Sequence, residues 1–153
     1  MIAGKIRRQI TIDTKKLALR IAGIGKDKKA EEPLILDMRK ASNFCDYFVI
    51  LSGTSLRQTK AIADAIEQDL NKDGIKPLAV PSKQETPWVL LDFSAVVVHV
   101  FYKPMRQFYS LERLWQDAPR VRLASARPRP SLKVRAGKTG ARTPKKKNER
   151  KKP

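Results

Sequence analysis

Cysteine and histidine are almost missing: Cys45 and His99 stand alone of their kind among 153 residues. A single cysteine excludes an intrachain disulfide and a cysteine-based metal cluster, and it fits a reducing, cytoplasmic setting. Cys45 reads as a small apolar packing group. A single histidine leaves no second imidazole for a zinc site. His99 lies between valines in "AVVVHVF", where a satisfied core or near-surface histidine is expected. Long hydrophobic runs are missing too, since no stretch approaches the ~20 apolar residues that span a bilayer. The first residues, "MIAGKIRRQITIDTKKLA", lack the apolar run of a secretory signal. Arg7 and Arg8 suit an organellar transit peptide, but Asp13 and the want of serine there argue against one.

Acidic residues are the other scarcity. Fifteen Asp and Glu stand against 33 Lys and Arg, a formal net charge of +18. Residues 124–153 hold 12 basic residues and one acid, Glu149, whereas residues 1–123 hold 21 and 14. A body over 1–123 is long enough for one domain with its own core. The tail over 124–153 has no aromatics, few large apolar groups and many breakers. It cannot bury enough surface to offset ordering and is expected to be disordered when free. Its cations should seek phosphate polymers, because each neutralised phosphate releases counterions without any sequence being read. Lys145, Lys146, Lys147, Arg150, Lys151 and Lys152 are the candidate contacts. No amphipathic apolar face accompanies the charge, so a membrane partner is not expected.

The body reads as alternating helices and strands. Ile10, Leu17, Ile21 and Ile24 recur at helical spacing and predict a helix over 11–25, loosened by Gly23 and Gly25. "LILDM" (34–38) and "DYFVILSG" (46–53) predict strands. Ser55 and Gln58 form a capping-box pattern, and Ile62, Ile66 and Leu70 share one face of the helix that follows, with Ala61 and Ala65 beside them and Gly74 as its stop. "KPLAV" (76–80) predicts a third strand, and "WVLLDF" and "AVVVHVF" a hairpin turning at 92–95. Pro104 suits the first turn of a last short helix. The expectation is an α/β fold: a single domain with a mixed five-stranded sheet flanked by helices. The helix before "KPLAV" is long enough for a parallel crossover from "DYFVILSG", and the hairpin strands pair antiparallel.

Enzymatic constellations are weak. "LSGTSLRQ" places one glycine between a strand and a helix start, short of a phosphate-binding loop or dinucleotide fingerprint; a turn and cap explain it. Asp37, Asp46 and Asp92 lie at strand ends, where three carboxylates could hold a divalent cation, but no Asp-x-Asp pair supports this. No cofactor is expected.

Four blocks, "DYFVILSGTSLRQTKAIADAIEQDL", "GIKPLAV", "WVLLDFSAVVVHVF" and "FYSLERLW" followed by "DAP", occur in this order and resemble the ribosomal silencing factor family, also called Iojap-like, from about Thr14 to Val121. The resemblance implies a nucleotidyltransferase-like fold without catalytic residues and without that activity. It implies a translational repressor, not an enzyme, that binds the large ribosomal subunit at large-subunit protein fourteen and sterically blocks the small subunit, with a link to large-subunit biogenesis. Asp46, Tyr47, Ser52, Gly53, Ser55, Arg57, Gln58, Lys60 and Asp64 match the family's second strand and helix. Trp88, Asp92, His99 and Phe101 match its hairpin, and Tyr109, Leu111, Glu112, Leu114 and Trp115 its closing helix. Ser94-Ala95 departs from the usual Gly-Asp, and the basic tail lies beyond the resembling stretch.

Trp88, Asp92, His99, Phe101, Tyr109 and Glu112 are therefore the expected partner-binding residues, with Trp88 the anchor, because indoles bury much area at small entropic cost. His99 and Phe101 would line the surface around it or lie beneath it, and Trp115 would cap the core. The tail lysines and arginines become candidate contacts to ribosomal RNA. Two other readings stay open: an RNA-binding assembly factor working through its tail, and a nucleotidyltransferase-like enzyme. A homodimer through a sheet edge or the first helix also stays open.

Overall fold

A computed structural model describes residues 13–79 and 81–123. The expected tail, with all six of its candidate contacts, lies outside the described residues, as do Ile10 and Val80.

Two apolar runs make the centre. β2 (Tyr47–Gly53) is buried at every position, and β4 (Val96–Tyr102) at all but its last. Such strands need cover on both faces. They pair parallel, Tyr47 opposite Val96 and Gly53 opposite Tyr102. β1 (Glu31–Asp37) adds antiparallel outside β2, and β3 (Trp88–Asp92) antiparallel outside β4, for the order β1-β2-β4-β3.

The sheet is mixed but has four strands, not the five expected. Within "KPLAV", residues 76–79 form no strand; Leu78 is 71% exposed and donates its N–H to the Asp92 carbonyl at 2.8 Å. Pro77 has no N–H to offer a ladder. The crossover from β2 consequently leads past this segment and β3, and the parallel partner of β2 is β4. β1 begins at Glu31, earlier than expected, and takes Pro33 into an edge position beside a register shift between Glu31 and Leu34.

α1 (Thr14–Asp27) and α2 (Leu56–Asn71) cover one face. Leu17, Ala18, Ile21 and Ala22 of α1 and Ile62, Ala63, Ile66 and Leu70 of α2 close over Val49, Leu51, Val89, Leu91, Val98 and Val100. Ala63 is the alanine against the core; Ala61 is exposed and Ala65 half-buried. α1 runs on through Gly23 and Gly25 to Asp27 instead of loosening there, and at Gly25 a Cβ would stand 2.7 Å from a Leu51 methyl, so the close approach of helix and strand requires glycine.

The other face is covered less completely. Phe48, Ile50, Val97 and Phe101 pack with Leu36, Met38, Cys45 and Ala118, and Met105, Leu111 and Trp115 lean on them. Trp115 meets the Phe48 ring edge-on at 5.9 Å, consistent with a core cap. Residues 119–121 then zip onto the outer edge of β1, through Asp37 N–H to Pro119 O at 2.7 Å and Val121 N–H to Ile35 O at 2.9 Å. The expected single closing helix is two: α3 (Lys103–Tyr109) and α4 (Leu111–Leu114), split where Ser110 takes a left-handed conformation at φ 45°.

Candidate docking face

Antiparallel pairing sets Trp88 opposite Phe101 and Leu90 opposite His99. Alternate residues share a face. Trp88, Leu90 and Asp92 thus lie with Val97, His99 and Phe101 on the side away from α1 and α2. α3 follows directly on β4 and brings Tyr109 to Trp88, ring centroids 5.1 Å apart. Trp88 stacks on Phe101 at 5.0 Å, with 25° between the planes, and its indole N–H donates to His99 Nδ1 at 3.2 Å. Phe108 stands edge-on to Tyr109 at 5.3 Å.

The cluster has a floor and a surface. Phe101 is fully buried and His99 is 5% exposed, so both lie beneath the face. Trp88 is 37% exposed, Leu90 and Tyr109 about half, and Phe108 78%. Burial pushes the His99 imidazole down to about 4, so it is neutral. It accepts at Nδ1, which leaves the proton on Nε2, and that buried nitrogen has no partner.

Four of the six expected partner residues therefore come together: Trp88, His99, Phe101 and Tyr109. Asp92 does not join them. It sits at the far end of β3, where its carboxylate accepts the Ser94 N–H at 2.8 Å and shapes the hairpin turn. Glu112 is held internally by Arg106. That guanidinium is buried and also donates to Ser52 Oγ at 2.8 Å and Glu32 O at 2.6 Å, tying α3, α4, β1 and β2 together. Leu90 and Phe108 are surface residues of the face that sequence reading missed. In "WVLLDF" no polar alternation marks which side of the strand looks outward.

The candidate anion loop is filled from within. Ser55 Oγ accepts the Gln58 N–H at 3.0 Å, and Gln58 Oε1 takes the Thr54 N–H at 2.7 Å. The three aspartates considered for a cation have different partners: Asp37 pairs with Arg39 at 2.7 Å, Asp46 accepts the Thr14 hydroxyl at 3.0 Å, and Asp92 serves its turn. Among the described residues no cluster of three or more His, Cys, Asp or Glu could hold a metal ion. No helix among them is long and apolar enough to cross a membrane.

The chain is an α/β protein whose sheet has one face covered by α1 and α2 and the other only partly covered, with Trp88, Tyr109 and Phe108 partly in solvent. The chain belongs to the ribosomal silencing factor family: the model of "Ribosomal silencing factor during starvation" matches residues 11–152. The match runs past Val121 into the basic segment, further than the four sequence blocks reach. A ribosomal silencing factor of Bacillus subtilis is 46% identical over 93 residues, covering 61% of this chain and 79% of that protein. The mouse protein named "Mitochondrial assembly of ribosomal large subunit protein 1" is 27% identical over 93 residues, covering 59% of this chain and 41% of that one. A crystal structure from Bacillus halodurans aligns with a TM-score of 0.59 at 38% identity, over 71% of this chain and 96% of that one.

Proposed function

We propose that this chain is a translational repressor of the cytoplasm that binds the large ribosomal subunit, at large-subunit protein fourteen, and keeps the small subunit from joining. The observation that carries the reading is the Trp88 face: a half-exposed indole fixed on a buried Phe101–His99 floor, with Leu90, Tyr109 and Phe108 around it. Rigid aromatic anchors ringed by apolar groups are the usual centre of a protein–protein contact. A contact of ordinary size, ~800 Å² per partner, is enough for specific docking. Repression then needs no chemistry, only a body standing where the small subunit must come. The nucleotidyltransferase-like scaffold is on this reading a frame for binding, and the basic tail adds affinity through ribosomal RNA phosphates. For self-association the β3 edge is the more open one, because residues 119–121 occupy that of β1.

Sedimentation with purified subunits tests this. Wild type should travel with large subunits and lower the yield of joined ribosomes. Trp88→Ala should lose both effects, by tenfold or more at a hot-spot cost of about 2 kcal/mol. A chain truncated after Leu123 should keep most of them. If the truncation loses everything and Trp88→Ala nothing, the tail is the binding element and the proposal is wrong.

A second reading has its own support in the mouse relative's name: action in large-subunit assembly. Large-subunit precursors accumulating in well-fed cells that lack the protein would favour it.

A further inference from the structure

We infer that His99 is a positioning residue, which holds the Trp88 indole in its outward-facing place from beneath the docking face without touching the partner itself. The inference rests on the docking role proposed for Trp88, but its geometry does not.

Three observations carry it. The first is the bond itself, indole N–H to Nδ1 at 3.2 Å, between neighbouring strands. Trp88 faces Phe101 in the ladder and His99 faces Leu90, so the two rings are diagonal neighbours and meet only because both are long. The second is the arrangement of rings. The Trp88 indole lies 5.0 Å from Phe101 and 5.8 Å from the imidazole, while Phe48 meets the imidazole at 4.8 Å from behind. The stack sets the plane of the indole, but a stack alone lets a ring slide and turn over. A directional bond at the ring nitrogen removes that freedom. The third is the cost. His99 is buried, and its Nε2 has no partner. A buried N–H without an acceptor destabilises a fold, and an apolar side chain of similar size would avoid that. The gain from keeping an imidazole here is the acceptor it sets under Trp88. A partly exposed indole that is already fixed loses less freedom on docking, which is how preorganisation raises affinity.

The test uses the full chain with Trp115→Phe, which leaves Trp88 as its single tryptophan. Long-range proton–nitrogen spectra of this protein should find the His99 proton on Nε2, and the Trp88 indole N–H exchanging with solvent far more slowly than in a free indole. These two measurements need no change at position 99. His99→Leu should then speed the exchange, lower the fluorescence anisotropy of Trp88 and weaken large-subunit binding about tenfold. His99→Asn, whose amide can present an acceptor near the Nδ1 position, should restore anisotropy and binding to within about twofold of the parent. The inference is overturned if the proton sits on Nδ1, if the indole exchanges freely, or if His99→Leu folds and leaves the anisotropy unchanged. Failure of the docking role looks different. There, Trp88→Ala and His99→Leu both leave subunit binding intact while the anisotropy still drops, and the local positioning stands.

Discussion

His99 also ties the fold to pH, and the direction follows from its burial. The imidazole is pushed to about 4 in the folded chain from an ordinary 6.5. Between those values the unfolded chain binds the proton and the folded chain does not. Stability from the neutral ring is therefore complete above about pH 6.5 and is lost as pH falls toward 4, by at most about 1.4 kcal/mol per pH unit. Urea titrations at pH 7.5, 6, 5 and 4.5 on wild type and His99→Leu should diverge in slope over that window. Parallel curves would mean that another group governs the acid limb. Arg106 gives the other prediction at this scale. Its buried guanidinium serves Ser52, Glu32 and Glu112 together. Arg106→Met should cost about 3 kcal/mol, since it strands those acceptors. Glu112→Gln keeps an acceptor but removes the charge opposite the buried guanidinium, and should cost about 2 kcal/mol, with subunit binding per folded molecule unchanged. If Glu112→Gln melts normally and yet fails to bind subunits, Glu112 belongs to the interface as the family resemblance implies.

Among elements, the start of α2 does more than its capping pattern declares. Ser55 and Gln58 were readable as a box, and Ser55 caps as the pattern requires. The Gln58 side chain, however, reaches past Ser55 to the Thr54 N–H, and its amide donates to Lys28 O and Lys29 O at 3.2 and 3.1 Å. One side chain thus closes the helix and fastens the turn after α1, where Lys29 takes φ 62°. Gln58→Ala should cost about 1–2 kcal/mol. Hydrogen exchange should rise at residues 28–31 as well as in the first turn of α2; a rise confined to α2 would mean that the bridge is idle. This element marks how far sequence reasoning reaches. α2, β2 and β4 were legible because their information is local, a cap with helical spacing or a run of β-branched residues. "KPLAV" misled because its composition suits a strand while nothing local says whether a neighbour waits for it. The parallel pairing of β2 with β4 was hidden for the same reason, being fixed by what α1 and α2 must cover together. Likewise Trp88 stood out as an aromatic at a strand start, but its bond to His99 depends on a cross-strand diagonal that no spacing reveals. Ser94 is a smaller case: at φ 69° it fills a left-handed position that the family's usual glycine would occupy without strain.

For the whole molecule, the uneven charge separates two kinds of binding energy that one titration can tell apart. The Trp88 face is apolar and aromatic, and contacts of that kind change little with salt. The segment over 124–153 carries 12 of the 33 basic residues, and each phosphate contact it makes steepens the fall of log affinity with log salt by about 0.7–0.9. Affinity for large subunits should be measured across salt for wild type, Trp88→Ala and the chain ending at Leu123. Trp88→Ala should lower affinity at every salt and leave the slope alone. The truncated chain should show a shallower slope, weaker binding in low salt, and convergence with wild type as salt rises and screening removes what the tail contributed. Equal slopes for wild type and truncation would show that the tail's charges do not meet RNA. A truncation that binds at no salt would make the tail the primary anchor, and the aromatic face would then need another partner.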